Sequence, residues 1–392
     1  MLKLHKKAKE PEMIYQNRVL EPILRKYLKL FPVVAITGPR QSGKSTLLLH
    51  CLPDYQFVTF DDFKTQEFFF ADPDGFFQRY SEKVIFDEVQ KVPTIFDHIK
   101  LRVDKNRSQY GNFVLTGSSQ FTLMQNVSES LAGRIGLLTL LPFQLQEIDD
   151  DLRFEAEYRG SYPELVQRSF EGSEEWYSSY IDTYVNKDVR SVNNIGDLRD
   201  FQRLIRLLAA RTAQQLEMSS LANDIGISVT TLKRWIAILE ASYIIFLLPP
   251  YFKNYNKRIV KAPKIYFYDT GIVSYLTGIK NKDLYQNGPM TGSIFENFVV
   301  AEVLKKELHN KTGAALYYYR TSHKVEVDLI IDRGLFKEVI EIKQSATFNT
   351  KMTTAIKSIM EEGDKGFVLY NGNNFPYIQE IEVLNIKDYL VT

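Results

Sequence analysis

The chain has 392 residues, 44% hydrophobic and 25% charged, the balance of a folded globular protein too long for one compact core and divisible into two or three domains. Its formal net charge of +1 excludes a polycation that coats nucleic acid, so any such contact has to come from local basic patches. The single cysteine, Cys51, excludes an intramolecular disulfide and a cysteine-based zinc site and fits a reducing cytoplasm.

The opening "MLKLHKKAKE" is basic but has no apolar signal core. The longest apolar stretch, "YIIFLLPPYF", is far short of the roughly 20 residues that span a bilayer. The expectation is a soluble, cytoplasmic protein.

From Val33 an apolar strand leads into Gly38-Pro39-Arg40-Gln41-Ser42-Gly43-Lys44-Ser45-Thr46, followed by a helix beginning near Lys44. This is the complete P-loop pattern in its strand–loop–helix context. The glycines let backbone N–H groups turn inward around phosphate oxygens, and the helix N-terminus adds partial positive charge. Residues 38–46 are therefore expected to hold ATP, with Lys44 on the β- and γ-phosphates and the Ser45 hydroxyl on Mg²⁺. "KVIFDEVQ" supplies the second requirement, an acid at a strand end. Asp87 would hold the water shell of the Mg²⁺, and Glu88 would polarise the attacking water.

"GNFVLTGSSQ" reads as a further core strand ending in hydroxyls, of which Ser118 or Ser119 would sense the γ-phosphate. Strands near 33–37, 56–60, 83–87, 112–117 and 136–140, with helices between, describe a parallel sheet. The acidic pair Asp61-Asp62 reads as a cap for the next helix rather than as a nucleotide contact.

From about Asp149 the α/β rhythm gives way to helices. Trp176, Tyr177, Tyr180 and Tyr184 recur at helical spacing and read as core. In "SSLANDIGISVTTLKRWIAILEASYII" the small Ala222 and the turn glycine Gly226 have helix-turn-helix spacing. Leu232, Trp235, Ile236 and Leu239 form a buried stripe in this reading, and Thr230, Thr231, Lys233 and Arg234 are exposed at the end that would read DNA. Two strands then flank a basic tip, Lys253, Lys257, Arg258, Lys261 and Lys264, a wing suited to a phosphate backbone. Such a module also serves as a protein-docking lid.

In the last third an amphipathic helix carries Glu296, and three strands follow, "ALYYYR", "KVEVDLIID" and "LFKEVIEIKQS". A helix over "MTTAIKSIMEEG" and a strand at "GFVLYNG" complete the unit. Asp328, Glu341 and Lys343 sit at polar positions inside apolar strands, where a carboxylate is costly unless paired or bound to a cation. Two such carboxylates, with Glu296 from the helix, can hold Mg²⁺ or Mn²⁺, and Lys343 can neutralise charge on a reacting phosphate.

This order resembles the PD-(D/E)XK nuclease fold over residues 292–375. The whole chain resembles a prokaryotic family in which an AAA-type P-loop ATPase domain precedes a C-terminal domain of formally unknown function. The motifs that carry this are "GPRQSGKSTLL", "IFDEVQ", "LTGSS", "SLAGR", "SYPE", "VEVDLII" and "IEIKQS". The resemblance implies an ATP hydrolase with a nuclease-like tail. It places Arg134 where AAA-type ATPases carry an arginine that reaches a neighbouring subunit's γ-phosphate, which would require a homo-oligomer; a solvated arginine at a helix end is the alternative.

The expected architecture is α/β: a P-loop domain over 1–148, a helical region with a winged helix-turn-helix over 149–285, and a restriction-nuclease-like domain over 286–392. DNA is the expected macromolecular partner, bound through Lys233, Arg234, Lys257, Arg258 and Lys261. An inert nuclease fold serving a DNA-binding switch, or an ATPase docking a protein, are the rival readings.

Overall fold

The computed structural model describes residues 15–117, 130–185, 198–252, 262–321, 325–375, 378 and 380–391. The first sheet contains β1 (Val33–Thr37), β2 (Gln56–Thr59), β3 (Val84–Asp87), β4 (Phe113–Thr116) and β5 (Ile135–Thr139). All its pairings are parallel, in the order β2-β3-β4-β1-β5. Both faces are covered, so its central strands read as continuous apolar runs rather than alternating ones. Val33, Ala35, Phe86 and Leu115 pack on one side with Ile95, Phe96 and Ile99 of the helix Ile95–Lys105. Val34, Ile36, Ile85 and Val114 pack on the other with Leu20, Leu24, Leu47 and Leu48. Because the strands are parallel, their carboxyl ends, with Thr37, Asp87 and Thr116, lie along one edge of the sheet.

The middle of the chain is helical. The helix Leu198–Ala210 buries Phe201, Leu204, Ile205 and Leu208, a three-to-four spacing that makes one apolar stripe. Met218–Ile225 and Val229–Ala241 follow, joined at Gly226, whose φ of +87° suits a glycine ending a helix. The Ser228 hydroxyl caps the second helix by accepting from Thr231 N at 3.1 Å. Trp235 meets Phe201 edge-on with ring centroids 5.4 Å apart. The expected core stripe of Leu232, Trp235, Ile236 and Leu239 is buried, and Thr230, Lys233 and Arg234 are exposed. Tyr177 and Tyr180 are buried as well; the side chain of Tyr184 lies outside the described residues.

After this pair of helices come β6 (Ile245–Leu248) and β7 (Lys264–Phe267), antiparallel, with Leu248 opposite Lys264. The basic positions Lys253, Lys257, Arg258 and Lys261 lie outside the described residues. Lys264 does not belong to a solvated tip. Its side chain is 3% exposed, because it starts a strand and is turned into the last third of the protein.

The second sheet contains β8 (Ala315–Arg320), β9 (Glu326–Asp332), β10 (Lys337–Lys343), β11 (Lys365–Tyr370) and β12 (Ile381–Asn385), in the order β12-β11-β10-β9-β8. β8, β9 and β10 are antiparallel neighbours, and β10, β11 and β12 run parallel. The long helix Thr291–Asn310 packs on one face. The helix expected over "MTTAIKSIMEEG" is confined to Thr354–Ile359 after a 3₁₀ turn, and β12 and the helix Ile386–Val391 are additional elements.

Middle and last thirds share a core. Phe246, Leu248 and Tyr266 pack with Phe295, Phe298, Leu329 and Ile340. The chain after β6 extends the second sheet at its β8 edge: Tyr251 N donates to Tyr318 O at 2.6 Å, and Tyr318 N donates to Pro249 O at 3.0 Å.

Candidate functional site

Two sites emerge, one at each five-stranded sheet. The first is the P-loop. Gly38 has φ +144° and lies so close to the chain after β5 that a Cβ there would sit 2.0 Å from Leu140 O; Gly43, at φ +90°, starts the helix Lys44–Cys51. Lys44 Nζ donates to Gly38 O at 3.0 Å and Pro39 O at 2.7 Å, folded back over the loop. Burial pushes its ammonium down to about 8, with Glu88 and Asp87 pulling the other way. Lys44, Ser45, Thr46, Arg40, Gln41 and Glu88 line one cleft of about 550 Å³.

Ser45 Oγ donates to Asp87 Oδ1 at 3.0 Å, so the two expected Mg²⁺-associated groups meet at the ends of adjoining elements. Asp87 also accepts from Thr59 Oγ1 at 3.3 Å and from Thr116 Oγ1. Thr116 in turn accepts from Glu88 N at 3.3 Å. Glu88 is held at φ +57°, an uncommon conformation for a non-glycine residue and one that concentrates at working sites. The fit to a Mg²⁺–nucleotide is one of chemistry: a hydroxyl, a carboxylate and a glycine-containing loop at a helix N-terminus.

Thr116 was missed by sequence reasoning, although its place at the end of an apolar strand was the available signal. Ser118 and Ser119 lie outside the described residues. Arg134 precedes β5 at the end of the sheet away from the P-loop, where Val33 pairs with Ile135. It makes a two-pronged ion pair with Asp104, Nε to Oδ1 at 2.7 Å and Nη2 to Oδ2 at 3.0 Å. Asp62 caps the helix Phe63–Ala71, accepting from Lys64 N at 3.1 Å, as the sequence indicated.

A buried polar chain leads away from the P-loop. Arg18 Nη1 donates to Ser42 O at 2.9 Å and Nη2 to Leu141 O at 2.7 Å, and its Nε lies 3.2 Å from Glu147 Oε2. Leu141 N donates to His309 Nε2 at 3.0 Å. Burial holds His309 well below its ordinary pKa, so the ring is neutral and able to accept. One turn earlier on the same helix, Lys305 Nζ donates to Phe143 O at 3.0 Å, Ser161 Oγ at 2.7 Å and Glu302 Oε1 at 2.6 Å. Glu302 Oε2 accepts from Leu145 N at 2.7 Å.

The second site lies near the start of that helix. Glu296, Asp328, Glu341 and Lys343 do converge, and Glu326 of β9 joins them, two residues from Asp328 and therefore on the same strand face. Lys343 Nζ lies 2.7 Å from Glu341 Oε1 and 3.4 Å from Asp328 Oδ2. Asp328 Oδ2 also accepts from Ile342 N at 2.9 Å. Lys264 Nζ lies 2.8 Å from Glu296 Oε1, 2.7 Å from Glu326 Oε1 and 3.9 Å from Asp328 Oδ1. Tyr266 donates to Glu296 Oε1 at 2.7 Å.

Burial, then the charge of Asp328, pushes both Glu296 and Glu341 up to about 7. Burial alone would lower Lys264, but Glu296, Asp328 and Glu326 hold it above the ordinary lysine value. The carboxylates suit a hard divalent cation in kind, and buried Glu341 Oε2 has no hydrogen-bond partner among the described residues. Among the described residues, however, no group of three or more His, Cys, Asp and Glu is arranged to hold a metal ion. The two lysines stand between the acids. The sequence reading placed Lys264 in the basic tip and did not name Glu326; their period-two relation to Tyr266 and Asp328 was the signal.

Among the described residues no helix is long and apolar enough to cross a membrane. Residues 30–149 match the AAA domain family, and 150–283 and 291–389 match two domains of unknown function (DUF8612 and DUF4143). An uncharacterized protein of Mycobacterium tuberculosis (Rv2008c), like one of Mycobacterium bovis, is 30% identical over 337 residues, 86% of this chain and 75% of the relative. An uncharacterized protein of Methanocaldococcus jannaschii (MJ1544) is 24% identical over 372 residues, 86% of this chain and 78% of the relative. Of solved structures, the Walker-type ATPase of Pyrococcus abyssi aligns with 69% of this chain and 99% of its own at 14% identity and a TM-score of 0.48. The chain belongs to the family of the mycobacterial proteins, and its AAA domain makes it a P-loop ATPase.

Proposed function

We propose that the chain hydrolyses ATP with Mg²⁺ at the P-loop and that its nucleotide state governs how the middle and last thirds engage DNA. The observation that carries the first part is the convergence of Lys44, Ser45, Asp87, Glu88 and Thr116 on one sheet edge beside the cleft. When bound, Mg²⁺ supplies charge neutralisation on the phosphates, and Ser45 and Asp87 are the groups that would hold it and its water. Lys44 positions the β- and γ-phosphates. Glu88 orients the attacking water, with Thr116 fixing Asp87 and the Glu88 backbone together.

The reach to the second site is supported by the buried chain from Ser42 through Arg18 and Leu141 to His309. His309 lies thirteen residues, about 20 Å of helix, from Glu296. For the DNA side, exposed Lys233 and Arg234 at the start of a capped second helix support backbone contact. Asp328, Glu341 and Glu296 are the residues that would hold Mg²⁺ or Mn²⁺ in the nuclease-like third, where the metal would supply an activated water. Lys343 would neutralise charge on the phosphodiester.

The test is a paired one. Lys44→Ala should lose ATP binding by calorimetry, and Glu88→Gln should bind ATP and release no phosphate. Unchanged ATP affinity in Lys44→Ala would falsify the nucleotide-site assignment.

A further inference from the structure

Lys264 comes from β7, whereas the acids it meets belong to the helix Thr291–Asn310 and to β9. Its ammonium touches three of the four carboxylates and is shielded from solvent, with the Tyr318 ring 5.6 Å away. Its position is fixed by backbone as well as by charge. β7 pairs with β6, the segment 213–216 bridges to it from the other side, with Ala213 N donating to Ile265 O at 2.8 Å and Ile265 N donating to Gln214 O at 3.0 Å, and the chain after β6 is tied to β8. A lysine so placed is no surface charge that drifted inward.

We infer that Lys264 is a built-in counter-cation, taking the place between Glu296, Glu326 and Asp328 that a hard divalent cation would otherwise occupy, so that metal uptake by the cluster requires its displacement. The geometry allows one or the other. Divalent ions of this class sit roughly 2.0–2.6 Å from their oxygen ligands. The Lys264 nitrogen stands 2.7 and 2.8 Å from the same two oxygens such an ion would take. An ammonium and a dication within one ligand shell would repel strongly in a buried setting.

The charge count leaves room for the exchange. Four carboxylates face Lys264, Lys343 and, at the rim, Arg320, so acids still outnumber bases. Glu341 Oε2 is buried with no donor among the described residues, a further oxygen available to an incoming cation. With all four carboxylates ionised, replacing +1 by +2 would bring the cluster closer to neutrality. Lys343 differs in kind: it is 39% exposed and pairs with Glu341 and Asp328 from the solvent side, so it can stay while Lys264 leaves.

The inference concerns the same acids as the nuclease-like reading but needs no cleavage. The experiment is Mn²⁺ binding to the full chain without nucleotide, read by calorimetry, by paramagnetic resonance and by thermal shift. Lys264→Met should bind one Mn²⁺ at least about tenfold more tightly than the wild type and gain thermal stability from it, whereas Lys264→Arg should behave as the wild type. Adding Asp328→Asn to Lys264→Met should abolish the gain. Should Lys264→Met fail to fold, Lys264→Gln, which removes the charge and leaves all four carboxylates in place, takes its part in the comparison. Equal Mn²⁺ affinity in the wild type and in the folded lysine variant, or no binding in either, overturns the inference. Tight Mn²⁺ uptake by the variant without any DNA cleavage upholds it while rejecting the nuclease reading.

Discussion

Raising the pH from 7 to 9 should weaken ATP binding about tenfold, because Lys44 must carry its proton to hold the phosphates. Burial has pushed Lys44 down to about 8 against an ordinary 10.5. About one molecule in ten is then neutral at this position at pH 7, about half at pH 8 and about nine in ten at pH 9. Phosphate groups arriving beside the amine favour its charged form and restore the higher pKa. Binding should therefore take up close to one proton per site at pH 9 and almost none at pH 7. Isothermal titration in buffers of different ionisation enthalpy reads this uptake directly as a slope. A tenfold change corresponds to about 1.4 kcal/mol, well within such a measurement. Linkage gives a second readout with a definite sign. Between pH 8 and 10.5 the unfolded chain binds more protons at Lys44 than the folded one, so this group's contribution to stability rises with pH across that window. Lys44→Met should remove both the slope and the nucleotide binding. Constant affinity from pH 7 to 9 with no proton uptake would refute the reasoning.

Glu88→Gln should trap ATP, with single-turnover phosphate release falling while affinity holds. Arg134→Ala loses a partly exposed pair with Asp104 and a donation to Ala132 O, so its thermal stability should stay close to that of the wild type. If it acts on a neighbouring subunit, its turnover should fall on the order of 10³-fold, and wild-type specific activity should climb with protein concentration; undiminished turnover leaves it as the partner of Asp104. Replacing Lys257, Arg258 and Lys261 by Glu should weaken DNA binding and flatten its salt dependence, read at two salt concentrations. Asp328→Ala, Glu341→Ala and Lys343→Ala should each lose Mg²⁺- or Mn²⁺-dependent plasmid nicking and keep ATPase activity; a wild-type protein that nicks no DNA removes this reading.

The strands of the first sheet were legible because a parallel strand covered on both faces must be apolar throughout, and 33–36 and 84–86 are. The P-loop was legible because its chemistry admits few alternatives to glycine at 38 and 43. Asp328, Glu341 and Lys343 announced themselves as polar interruptions of buried strands. That Asp328 faces a second lysine was not legible, since Lys264 reaches it from sixty-odd residues upstream through tertiary packing alone. In sequence it stands among lysines of a loop, and local composition assigns it to solvent. The same holds for Arg18 and His309, whose partners at Ser42 and Leu141 lie in other elements. β12 escaped notice because only Ile381 and Val383 of its five residues are buried, too brief a pattern to separate from a loop.

The annexation of the β8 edge by residues 249–251 bears on modularity. A fragment starting near residue 287 would leave Phe295 and Phe298 without Phe246 and Tyr266, and Glu296 without its lysine. It would also open a flank of the sheet to pairing with other chains, a known route to aggregation. The terminal third is thus a poor candidate for shuffling onto foreign proteins by itself; the inheritable unit begins at least at β6. Graded proteolysis should accordingly spare the join near 286 while cutting elsewhere.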